Sequence, residues 1–190
     1  MKGFLVGLLV GLVIVPVATF LYITLGFAPV AATAPPLPFE RYLASKALES
    51  RVDREAPNRN VSGFTTTQLL TGADVYKKNC AVCHGWSDGT PRPTTGQYMF
   101  PSAPELLTPR GNVTDDPAGV TYWKVQNGIR LSGMPSFKNV LTDEEIWDLS
   151  ALLARADKLP PEVSDAVKPP PDPAATFPKS SEATKAKAIK

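Results

Sequence analysis

Residues 4–27 carry no charged side chain and are almost wholly apolar, a run of 24 residues. As a helix rising ~1.5 Å per residue, such a run crosses the ~30 Å hydrocarbon core of a bilayer with some tilt. The pattern therefore predicts a membrane-spanning helix. It changes at once afterwards: Pro35, Pro36 and Pro38 open a mixed segment in which residues 39–55 are spaced for one short amphipathic helix and residues 57–67 read as extended. Thr71, Gly72, Ala73 and Asp74 resemble a helix start, with Thr71 as N-cap and Asp74 in the first turn, and this helix would deliver Cys80 at its end. A clearer signal is Thr142 followed three residues later by Glu145, a capping box ahead of Ile146, Leu149, Leu152 and Leu153. That helix should end near Ala156, before Pro160 and Pro161. Between the two lies a stretch rich in Gly and Pro, with a short helix expected over residues 120–127.

These signals divide the chain into an N-terminal anchor (residues 1–30), a linker with one short helix (31–70), a compact, mainly α domain (71–156) and a proline-rich extended tail (157–190). The tail's composition gives it no core of its own, so it is either a disordered extension or a segment that orders on a partner. With 190 residues, 20 of them proline, the chain has room for one modest domain but not for two well-cored ones. A net charge of +2 without a basic stripe argues against nucleic acid as a partner.

Lys2 on the short N-terminal flank favours an N-inside orientation, which places everything after residue 30 on the periplasmic or equivalent outer side of the cytoplasmic membrane. A cleaved secretory leader is the competing reading, because Ala32, Thr33 and Ala34 form a small-residue site of the kind leader peptidases use. Against it stand the length of the apolar run, well beyond a usual core of ~7–15 residues, and Pro35 directly after Ala34. Gly3, Gly7 and Gly11 recur at intervals of four. They either let a second membrane helix approach closely or reflect how common glycine is in such spans. Pro16 is a kink that a membrane helix tolerates.

The candidate chemistry is concentrated in Cys80, Ala81, Val82, Cys83 and His84. In this spacing two thiols can add across the two vinyl groups of a haem while the adjacent imidazole meets the iron. Cys80 and Cys83 would carry the thioethers and His84 would be the proximal ligand. A structural zinc site needs four ligands, usually from two such pairs, and no second cluster exists. A thioredoxin-like redox pair would sit near a βαβ pattern, which the flanks lack. A plain disulfide leaves His84, the sole histidine, unexplained. The remaining soft ligands are Met1, Met99 and Met134. Met134 sits in a glycine-flanked loop that lets backbone approach a planar ligand, whereas Met99, between Tyr98 and Phe100, reads as packing.

Over residues 71–156 the chain resembles class I cytochrome c, in particular the small bacterial membrane-bound or oxidase-associated monohaem kind. The resemblance is carried by Gly72 and Tyr76 ahead of the Cys80–His84 motif and Gly85, by Pro104, Glu105 and Leu106, by Tyr122 and Trp123 leading into Asn127, Gly128 and Ile129, by Gly133, Met134 and Pro135, and by Trp147 in the closing helix. It implies a class I cytochrome c fold around one covalent haem c, with Met134 as distal iron ligand and the Pro104 carbonyl accepting from the His84 ring. It also makes Arg110, Tyr122 and Trp123 candidates for the haem propionates, and Tyr76 and Trp147 holders of the crossing of the first and last helices. Apolar wrapping by Leu106, Ile129, Phe137 and Leu149 would favour the less charged ferrous state.

The function so implied is single-electron transfer without catalysis, as a membrane-anchored subunit of a respiratory or photosynthetic complex such as a quinol-oxidising alternative complex III, an oxidase, a dehydrogenase or a reaction centre. A free periplasmic shuttle released by leader cleavage is one alternative. A haem enzyme or gas sensor with a labile Met134 is another, although no second histidine or comparable base is present to serve it.

Overall fold

The computed structural model describes residues 2–87, 95–108 and 112–169. Among these the regular structure is helical, without strands. The chain divides into two units, residues 1–47 and 48–190.

In the first unit α1 spans Lys2–Thr24, and none of its described side chains is buried. It is the one helix among the described residues long and apolar enough to cross a membrane. The apolar run continues to Phe27, but the helix stops earlier. Gly26, at φ +80°, donates its N–H to Ile23 and Phe27 donates to Tyr22, both at 3.1 Å, with the Tyr22 and Phe27 rings stacked 6.3 Å apart. This is a Schellman motif with its apolar contact, and glycine adopts the required left-handed backbone without a Cβ penalty. Thr19 and Thr24 return their hydroxyls to the carbonyls of Val15 and Phe20, each at 2.9 Å, so neither threonine hydroxyl is left unpaired on an apolar helix surface.

α2, Glu40–Glu55, is the amphipathic helix expected here. Its last two turns belong to the second unit, where Val52 is buried. α3 spans Thr66–Asn79, earlier than the Thr71 start read from sequence. Two threonines compete for the cap. Thr65 makes a reciprocal box with Gln68, whereas Thr71 lies mid-helix with its hydroxyl on the Thr67 carbonyl, and Asp74 is drawn to Lys78 at 2.5 Å. The fuller set of satisfied groups decides the outcome.

α4 is the single turn Ala81–His84, α5 spans Ala118–Asn127 and α6 spans Asp143–Leu153. The capping box of Thr142 and Glu145 is present as expected. α3 and α6 cross at Gly72, where an added Cβ would meet the Asp148 carbonyl carbon at 2.7 Å and the Leu149 nitrogen at 3.0 Å. Tyr76 is fully buried in the core, and Trp147, also buried there, stacks on Tyr122 of α5 at 4.3 Å between centroids.

Two further segments join this core. Arg155 donates to the carbonyls of Val61 and Ser62, both at 2.6 Å, and of Phe64 at 3.3 Å, fastening the chain between α2 and α3. α7, Pro161–Ala166, forms within the stretch read as an extended tail. Pro160 and Pro161 act there as the N-cap and first position of a new helix, where a missing N–H costs nothing, and Val163 and Val167 are fully buried.

Candidate functional site

Cys80 serves as both the C-cap of α3 and the N-cap of α4, so the core helix runs directly into the motif. The N–H groups of Cys83 and His84 return to the Cys80 carbonyl at 3.0 and 2.9 Å. Gly85, at φ +77°, ends the turn, and its carbonyl accepts from the buried Tyr76 hydroxyl at 2.8 Å. The whole turn is thereby pinned to α3.

The His84 ring is oriented by one bond: Nδ1 lies 2.7 Å from the Pro104 carbonyl. That oxygen can only accept, so Nδ1 holds the proton and Nε2 keeps a lone pair for a metal. Burial lowers the His84 pKa, partly opposed by the bond to Pro104, which keeps the ring neutral at pH 7. Burial, aided by Cys83, pushes the Cys80 thiol up to about 12.

Residues 128–137 form a closed loop. Gly128, at φ +68°, faces returning backbone so closely that a Cβ would lie 2.6 Å from the Ser136 nitrogen. Ile129 donates to the Met134 carbonyl at 3.1 Å, Met134 donates to Ser132 Oγ at 3.1 Å, and Ser132 Oγ donates to the Ile129 carbonyl at 2.7 Å. Ser136 Oγ on the Gln126 carbonyl at 2.6 Å and Phe137 N–H on the Val125 carbonyl at 3.1 Å tie the loop to α5. Met134 therefore stands on a backbone fixed from both sides.

Cys80, Cys83, His84, Pro104 and Met134 all line one cavity of about 190 Å³. The four residues expected as apolar wrapping, Leu106, Ile129, Phe137 and Leu149, line it too. Its walls are mostly apolar with a few polar groups, the composition of a cofactor site. Leu48 of α2, which sequence reasoning missed, and Met99, which it read as packing, also line it. Leu48 and Val52, four residues apart, fall on one face of the helix; that spacing was the available signal.

Tyr122 and Trp123 are not among the lining residues. The Tyr122 hydroxyl donates to Asp143 and accepts from Gln126 at 2.7 Å, and Trp123 Nε1 donates to Glu55 at 3.3 Å. Both polar atoms are committed away from the cavity. Arg110 lies outside the described residues.

The donor set fits a haem: two thiols three residues apart, an imidazole with Nε2 left over, a thioether and an apolar envelope. Among the described residues no three His, Cys, Asp or Glu side chains gather as a site for a bare metal ion. Fold and cavity together suit a haem-binding domain.

Comparison with known proteins agrees. Residues 67–153 match the family described as cytochrome c oxidase, cbb3-type, subunit III. The chain is 34% identical over 113 residues to the cytochrome c subunit of an alcohol dehydrogenase (quinone) from Gluconobacter oxydans (strain 621H), a match covering 50% of this chain and 21% of that protein. The chain thus spans about a fifth of that relative's length. Residues 67–153 thus carry a class I monohaem cytochrome c domain, the kind that holds one haem c covalently.

Proposed function

We propose that Cys80 and Cys83 carry the thioether bonds, that His84 through Nε2 and Met134 through its sulfur are the iron ligands, and that the carbonyl of Pro104 orients His84. The observation that carries this reading is the convergence of the contiguous motif and Met134, 50 residues apart in sequence, on one apolar cavity. Haem c, when bound, supplies a one-electron ferric/ferrous couple. The residues around it set the terms of that exchange. With His84 and Met134 both given to the iron, no protein-side position would remain for a substrate, and an imidazole–thioether ligand pair would raise the reduction potential. Leu106, Ile129, Phe137 and Leu149 lower the local dielectric, which penalises the more charged oxidation state.

The chain is a membrane-anchored electron carrier with α1 as a single-pass anchor in the cytoplasmic membrane and the haem domain on the periplasmic or outer face. It works as a subunit of a quinone-linked oxidoreductase complex, of which a quinol-oxidising alternative complex III is one kind. The length and apolarity of α1 support the anchor; the quinone-dependent dehydrogenase named for the Gluconobacter relative supports the partner class. The test is extraction of native membranes. The cytochrome should require detergent, copurify with quinone-reactive subunits and be reduced by added quinol. Recovery in the soluble fraction as a chain shortened near residue 34 would contradict the anchor.

A further inference from the structure

We propose that Met99 is a positioning residue for the distal ligand, its thioether packing on Gly133 and holding the Gly133–Met134 turn against the haem cavity. The inference rests on the reading of Met134 as an iron ligand.

Three observations carry it. A carbon added at Gly133 would collide with Met99 Sδ and would lie 3.1 Å from Cε and 3.2 Å from Cγ. Gly133 is not among the glycines with positive φ, so this position requires glycine for space and not for backbone conformation. Met99 and Met134 line the same cavity, so the contact sits beside the ligand and not at a remote surface.

The segment that carries Met99 is itself anchored to the other ligand. Gly96 sits against the Cys83 carbonyl and leaves only 2.7 Å between a built Cβ and the Ala103 side chain. The Gly96 carbonyl accepts from Ala103 at 2.9 Å and from Met99 at 3.4 Å, and the next residue, Pro104, holds His84. Residues 95–104 thus form one brace reaching from the attachment turn to the distal loop. Hydrogen bonds fix residues 129, 132 and 134 of that loop, and Met99 adds a lateral contact on the residue directly before the ligand. An unbranched, polarisable thioether suits such an irregular gap. Removing it frees the turn to swing Met134 off the iron.

The test uses the haem-loaded full-length protein and its Met99→Ala, Met99→Leu, Gly133→Ala and Met134→Ala variants. The readouts are the methionine–iron charge-transfer absorption of the ferric form and the rate of carbon monoxide binding to the ferrous form, which requires Met134 to leave. Met99→Ala should keep the absorption but bind carbon monoxide about tenfold faster, equivalent to about 1.4 kcal/mol in the population of the open loop. Gly133→Ala should behave alike, because its methyl displaces Met99. Met99→Leu refills most of the volume and should stay within about twofold of the unmodified protein. If Met134→Ala loses the absorption while Met99→Ala binds carbon monoxide at the unmodified rate, the brace is wrong and the ligand assignment stands. If Met99→Ala loses the absorption and Met134→Ala keeps it, Met99 is the ligand and both readings fall.

Discussion

Asp148 is the residue whose surroundings are hardest to satisfy. It is buried, and its Oδ1 has no hydrogen-bond partner among the described residues. Burial raises its pKa, and Glu144 adds to this, while Arg59 and Gln68 oppose it. The folded state therefore holds the proton to higher pH than the unfolded state does, so stability falls as pH rises from the ordinary value of 3.8 through the raised one. Asp148→Asn, which mimics the neutral form, should stabilise the haem-loaded protein by about 1 kcal/mol at pH 7. The gain should vanish below the ordinary carboxyl range, as read by denaturant unfolding at several pH values; an equal gain at all pH values would remove the charge argument. Not all of this residue-level detail was readable in advance. Cys80, Cys83 and His84 were legible because their chemistry is contiguous. Leu48, the environment of Asp148 and the place where Met99 packs were not, because only tertiary packing puts them beside the cavity or inside the core.

Among the elements, the start of α3 shows how local signals compete. Thr65 and Thr71 both precede helical sequence, and only the reciprocal bonds of Thr65 with Gln68 make a complete cap. Thr65→Ala should cost about 1 kcal/mol of stability, as loss of an N-cap does. Thr71→Ala, at an exposed mid-helix site, should change it by less than about 0.5 kcal/mol. Thermal unfolding of the two variants checks this, and the reverse order would restore Thr71 as the cap. α6 was legible because its box and its apolar spacing agree, two independent levels pointing to one answer. α7 was not, since prolines that stop one helix also start another, and the burial of Val163 and Val167 depends on a surface supplied by α3.

For the molecule as a whole, the mainly α fold and the cytochrome c domain followed from motif and resemblance, whereas the extent of the compact unit did not. Residues 48–64 carry charge and proline, and it takes Arg155, far away in sequence, to fasten them. Because α7 closes the core, deleting residues 170–190 should leave the haem spectrum and stability of the domain unchanged while weakening copurification with the membrane complex. Undiminished copurification would show that this segment holds no partner. The account stands above all on covalent attachment of one haem through Cys80 and Cys83. Mass spectrometry of the denatured, acid–organic extracted protein tests it most directly. The expected result is a polypeptide plus one haem, with the added mass confined to the fragment containing Cys80–His84; a bare polypeptide with the pigment in the organic phase would contradict it.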